Sequence, residues 1–376
     1  MAQHADAAGV RRVHVLAFRD RDDPLAGGSE EHATQVCTHF ARAGRDVTLH
    51  TGRVPGAPVE TERNGFRVVR RGGRVGVFLT TALDARLGRL GPADGIVEIF
   101  HGVPFFAPLW TRVPQVGLVH HVHLGTWDDL LPGWPGRVGD MIERYAVPAV
   151  YRHRALVTAA PSARDEIVEH YGADPSRITI APHGIADRFS PGGTRSEAPL
   201  VVAVCRLMPQ KGVEELIAAL ARAKASVPAL EATIVGDGPH RERFEAVARE
   251  RGAGWIRWAG RVSEDELVDW YRRAWVVASA SRREGFGLTL TEAAACGTPT
   301  VATRIPGHVD AVDEGRSGLL ADSTEELADR VVDVVVDDEL RARLGAGARA
   351  HAARFRWEEA AATLLGALCD EAVRRR

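Results

Sequence analysis

SASRREGFGLTLTEAAACGTPTVAT, residues Ser279 to Thr303, holds a strand end, a glycine-flanked loop, a helix and the start of another strand. The strand closes at Ser279, and Glu284 follows in a loop with Gly285 and Gly287. A helix begins near Leu288 and carries Glu292, and Thr300–Ala302 is the next strand. A helix between two strands is the usual crossover of a parallel sheet. The loop would present backbone N–H groups at the positive end of the helix dipole, a setting that suits phosphate. Glu292 lies about one turn in, so its carboxylate can face what the loop holds, and sugar or ribose hydroxyls need such an acceptor. A lone loop Glu or helix Glu is ordinarily a solvated charge. These two therefore gain weight only from their neighbours.

Outward from this stretch the same alternation repeats. Val13–Ala17, Asp46–Thr51, Ile96–Phe100, Gln115–Val119, Leu156–Thr158 and Ile178–Ile180 read as strands, with helices between several of them. A helix is expected after Gly27 and Gly28 with Ser29 as its N-cap. Ser190–Pro199 (SPGGTRSEAP) has no periodicity and reads as a linker. Strands resume at Leu200–Cys205, Ala232–Gly236, Trp255–Trp258, Val276–Ser279, Thr300–Ala302 and Gly318–Leu320. Ser263 with Glu266 and Ser323 with Glu326 fit the capping box. The fold class is thus α/β, with two Rossmann-like domains facing across a cleft. Their spans are 1–190 and 200–355, joined by 191–199, and a helix over 356–376 should pack back on the first domain.

Other motifs sit at strand ends. Arg206 and Lys211 follow the first strand of the second domain, where two cations could neutralise a diphosphate leaving group. Gly236-Asp237-Gly238-Pro239 favours plain turn chemistry. Gly260-Arg261-Val262 ends a strand where a base could lie against the backbone. Gly27 and Gly28 offer amides to phosphate, although a lone pair of glycines is a weak signal. Leu118 to His123 reads LVHHVH; His120 ends a strand, His121 and His123 would share a face if it continued, and one of the three can donate to a sugar oxygen while at least two are simply packed at a strand end. Zinc is the less attractive reading of these histidines, because no third ligand stands at a recognisable spacing. Asp20-Arg21-Asp22 has the form of a metal-binding DxD but lies in a charge-rich loop and reads as solvated.

Composition sets bounds. Among 376 residues, 48 Lys and Arg against 50 Asp and Glu give a net charge of −2, which argues against a nucleic-acid partner. Cys37, Cys205, Cys296 and Cys369 form no CxxC pair, so a reducing compartment, the cytoplasm, is expected. No apolar run nears the ~20 residues of a membrane span. Peripheral contact with a membrane surface is compatible with this, and the oligomeric state is left open.

In order and spacing these motifs resemble glycosyltransferase family 4, of the GT-B fold. The run is Gly-Gly after the first strand, R-x4-KG, GDGP, GRV, then EGFGLTLTE and ACGTPTVAT. The resemblance implies retaining transfer from a nucleoside-diphosphate sugar to a sugar, lipid or natural-product acceptor, with no cofactor and no metal. It implies that Arg206 and Lys211 grip the diphosphate and that Glu284 binds the donor sugar's hydroxyls. Amides of Phe286, Gly287, Leu288 and Thr289 would touch sugar and phosphate, Glu292 the ribose, and the Val262 backbone the base. His120 would face the donor sugar, with His121 as the competing register. Pro182-His183-Gly184-Ile185 resembles the family's PNGV segment with His183 in place of Asn. A nucleotide-sugar epimerase shares this architecture, though E-x7-E argues against it. A noncatalytic sugar-nucleotide module would bind donor without turnover.

Overall fold

The computed structural model describes residues 1–73 and 75–376 as two compact units. One comprises Met1–Gly184 with Trp357–Arg376, the other Ile185–Arg356.

The first unit is built on eight strands: β1 (Arg12–Leu16), β2 (Asp46–Thr51), β3 (Glu60–Arg63), β4 (Phe66–Arg70), β5 (Gly95–Phe100), β6 (Gln115–Val119), β7 (Leu156–Thr158) and β8 (Ile178–Ile180). Their order is β3-β4-β2-β1-β5-β6-β7-β8, and every pairing is parallel except β3 with β4. That antiparallel hairpin is absent from the sequence reading, yet it carries a clear signal. Asn64 and Gly65, with φ of 48° and 85°, form the two-residue connection that Asn-Gly favours between paired strands.

Helix α1 (Gly28–Arg42) buries Ala33, Val36, Cys37 and Phe40 against Val13, Val15 and Val97 of the sheet. Its N-cap is Gly27 rather than Ser29, because the Glu30 carboxylate accepts from the Gly27 N–H at 2.7 Å and closes the turn there. The helix Trp357–Arg374 adds Ala361, Leu364, Leu365, Leu368 and Cys369 to the same core. Leu368 fills the space over Gly95, where an added Cβ would lie 2.7 Å from its Cδ2.

Glu98 of β5 is buried on the other face of the sheet, and burial pushes its carboxyl up to about 7, against the pull of the Tyr151 hydroxyl, which donates to it at 2.8 Å. A carboxyl whose folded value is raised holds its proton more tightly when folded. Its contribution is therefore intact in acid and is lost as pH rises from the ordinary carboxylate range through 7, a cost of about 3 kcal/mol above that window. Glu98→Gln should raise Tm at pH 8 and leave it nearly unchanged at pH 5. The same shift at both pH values would clear Glu98 of the effect.

The second unit holds six parallel strands, β9 (Leu200–Val204), β10 (Glu231–Val235), β11 (Arg257–Gly260), β12 (Val276–Ser279), β13 (Thr300–Thr303) and β14 (Gly318–Ala321), in the order β11-β10-β9-β12-β13-β14. All six match expected strands. β9 reads LVVAV because a central parallel strand is covered on both faces. The two helices used below are α2 (Val213–Ser226) and α3 (Leu288–Ala295).

The box at Ser263 and Glu266 is complete. At Ser323 only half forms, since the Glu326 carboxylate takes the Asp322 N–H instead. The irregular segment Ser190–Pro199 is bound down on this unit. Arg195 donates to Gly297 O at 2.7 Å, Arg272 to Ser190 O at 2.8 Å and the Trp275 indole to Ser196 O at 2.7 Å. All four cysteines are free thiols. Among the described residues no helix is long and apolar enough to cross a membrane.

Candidate active site

In the second unit the expected donor residues gather at the carboxyl ends of β9 and β12. Arg206 lies two residues beyond β9 and is exposed. A short 3-10 turn, Pro209–Lys211, then brings Lys211 to the mouth of α2. Gly212 follows with φ of 59°, and a Cβ there would sit 1.9 Å from Ala280 O. Only glycine allows this approach. It presses the Lys211 turn against the loop after β12, and Lys211 Nζ consequently donates to Glu284 Oε1 at 2.6 Å. Ser281 Oγ donates to the same oxygen at 2.9 Å. Burial would raise the Glu284 carboxyl, but the Lys211 charge and, after it, His308 hold it below the usual carboxylate range. Glu284 is thus an ionised acceptor fixed in place.

Gly287 caps α3 in the left-handed region at φ of 87°, so the helix starts at Leu288 as expected. Phe286 turns its ring into the unit's interior, edge-on to Phe355 at 5.3 Å between centroids. Gly285, Leu288 and Thr289 are partly exposed around it. Glu292 is half-buried and accepts from the Tyr271 hydroxyl at 2.8 Å, which orients its carboxylate. Gly260 ends β11 with φ of 70°, and Val262 follows, partly buried on the core beneath.

His308 is a residue the sequence reading missed. It is buried, its Nδ1 lies 2.8 Å from Thr303 O and its Nε2 3.4 Å from Ser279 Oγ. Nδ1 must therefore carry the proton, leaving Nε2 as acceptor. A Cβ on Gly287 would lie 3.3 Å from its ring, so His308 backs the glycine loop. The signal was a histidine five residues after a strand that had already been placed.

In the first unit His120 stands one residue past β6. It is 9% exposed, and its Nε2 lies 3.0 Å from His32 Nδ1. Burial lowers it to about 4, so the ring is neutral. His121 stacks on His123 at 4.2 Å. Gly28 begins α1, and the Gly27 N–H is already committed to Glu30. Burial would raise Glu30, yet His101, Arg19 and that N–H hold it at about 2.

Of Asp20-Arg21-Asp22 only Asp20 departs from the solvated reading, since Asp22 is exposed and Arg21 partly so. The Asp20 side chain is fully buried and accepts from Arg63 Nη1 at 2.6 Å and from Arg70 Nε; Asp22 accepts from Arg70 Nη2 at 2.7 Å. The two carboxylates are paired with Arg63 and Arg70, which lie 43 and 50 residues from Asp20 in sequence.

Comparison with known proteins matches residues 26–189 to the family described as Glycosyltransferase Family 4 and residues 186–351 to Glycosyl transferases group 1. A D-inositol 3-phosphate glycosyltransferase of Xylanimonas cellulosilytica is 30% identical, over 98% of this chain and 99% of that protein. Among solved structures, a sucrose-phosphate synthase from Thermosynechococcus elongatus superposes with a TM-score of 0.79 at 20% identity, covering 94% of this chain and 97% of that one. Anabaena HepE, solved with UDP and glucose, gives 0.70 at 17% identity over 92% and 95%.

Proposed function

Because the chain belongs to glycosyltransferase family 4 and is a glycosyltransferase of the GT-B type, we propose that it moves a sugar, with retention, from a nucleoside-diphosphate sugar to an acceptor hydroxyl. The observation that carries this reading is the Lys211–Glu284 pair at 2.6 Å beside the amino end of α3. A cation, an ionised carboxylate and a helix amino terminus, brought together from two adjoining loops, match a ligand that is phosphate at one end and polyol at the other.

In this reading Arg206 and Lys211 take the diphosphate, whose charge grows as the glycosidic bond breaks. Amides of Phe286, Gly287, Leu288 and Thr289 share that charge. Glu284 accepts from sugar hydroxyls and Glu292 from the ribose. Gly285 adds its backbone to the same loop, and the backbone at Val262 meets the base. Glu284 is held by Lys211 and Ser281, which favours positioning over nucleophilic attack. The leaving phosphate then accepts the acceptor's proton on the face of departure. The relative named for D-inositol 3-phosphate makes a phosphorylated cyclitol the first acceptor to try, and the UDP-bound neighbour makes a UDP-sugar the first donor.

Two results test this. Calorimetry with bare nucleoside diphosphate should show Glu284→Gln binding nearly as wild type while transfer falls, and Glu292→Gln losing both. Equal losses of binding in the two variants would sink the assignment. Transfer should also persist in EDTA, because Arg63 and Arg70 already occupy the Asp20 and Asp22 carboxylates. Activity lost on chelation and restored by magnesium or manganese would overturn the metal-free reading.

A further inference from the structure

We infer that His32, His120 and His183 form a binding site for a divalent d-block cation, zinc foremost, inside the first unit. The three imidazoles come from separate elements: the first turns of α1, the residue after β6, and the loop after β8. Their candidate ligand atoms all lie within 4.8 Å of one another. His32 Nδ1 and His120 Nε2 are 3.0 Å apart, and the His32 and His183 ring centroids 4.2 Å apart. Zinc–nitrogen bonds of about 2.0–2.1 Å in tetrahedral geometry put ligand nitrogens roughly 3.4 Å apart. One pair is already inside that distance, and the others need to close by little more than an ångström. His120 and His183 sit just past strands, where a chain can make such a shift.

The chemistry of the donor set selects the ion. Three imidazoles and no carboxylate suit zinc, copper or nickel, whereas magnesium and calcium demand oxygen. The rings are 2%, 9% and 3% exposed, and burial keeps them neutral, the form that ligates. Three protein ligands leave a fourth position open. His183 is also where the chain departs from the family's PNGV pattern. An asparagine there would leave two imidazoles, and the histidine supplies the third.

The consequence rests on the reading of His120 as the donor-sugar residue. The nitrogen a cation would take, Nε2, faces His32 at 3.0 Å, so a bound cation would fix the ring in that orientation; zinc should then inhibit transfer and a chelator should relieve it. The binding test needs no donor or acceptor, so its failure would leave the transfer reading standing.

Untagged protein equilibrated with buffered free zinc should retain one zinc per chain by elemental analysis, and cobalt(II) should give the intense visible bands of a tetrahedral site. Magnesium should not be retained. His183→Asn, which restores the family pattern, and His32→Gln should each weaken zinc by more than the roughly 10–100-fold that loss of an outer-shell partner costs. His121→Asn should bind as wild type. Wild-type protein that retains no zinc, or a cobalt complex without tetrahedral bands, would overturn the site whether or not the variants fold. Folded His183→Asn protein with undiminished affinity would overturn it too, leaving three packed rings.

Discussion

Lys211→Ala should lower transfer by on the order of 10²–10³, the usual loss when one donor aimed at developing charge is removed. An ammonium has three N–H donors, and Glu284 takes one of them at 2.6 Å. The pairing gives the substitution a second effect, for the Glu284 carboxylate loses the charge that holds it below the usual carboxylate range. Sugar binding should therefore suffer along with phosphate binding, and the loss should appear in kcat and in donor affinity together. Lys211→Arg should recover part of the rate, since it restores charge in a different shape. The side chain is 22% exposed at a loop, so thermal unfolding should barely move. Near-normal turnover, or a variant that fails to fold, would remove Lys211 from the reacting end of the molecule.

Asp20→Ala should cost the first unit about 3–5 kcal/mol, because it strips a buried ion pair of one partner. Arg70 is 1% exposed and would keep only Asp22, itself half-exposed, as a charged partner beside the Pro58 carbonyl, while Arg63 would lose its closer acceptor. At the entropy of a domain this size the loss amounts to a fall in Tm on the order of 10 °C. Asp22→Ala should cost well under half as much, since an exposed partner contributes little. The measurement is calorimetric unfolding of each variant. Unchanged stability for Asp20→Ala together with lost activity would return the DxD to metal chemistry.

Much of this was legible in the sequence for a physical reason. Parallel strands buried on both faces write themselves as short apolar runs, so all six strands of the second sheet could be placed. A glycine loop before a helix announces where Glu284 and Glu292 will stand. What was missed depends on partners distant in the chain. Asp20 reads as solvated until Arg63 and Arg70 are folded over it. His32, His120 and His183 are separated by 88 and 63 residues, so no spacing rule could join them. His308 earns attention only when its ring is seen behind Gly287. The β3–β4 hairpin is a different kind of miss, because Asn64-Gly65 was there to be read.

The helix Trp357–Arg374 belongs to the first unit, although the whole of the second unit intervenes in the chain. A ribosome makes the chain from its amino end, so β1 to β8 emerge long before Leu364, Leu365 and Leu368 exist to cover Val13, Val97 and Leu118. Throughout that interval the nascent first unit exposes an apolar face, and Ile185–Arg356 is complete before the helix that covers that face. The later segment should be the first to become protease-resistant, and the earlier one should stay protease-sensitive until the helix Trp357–Arg374 has left the ribosome.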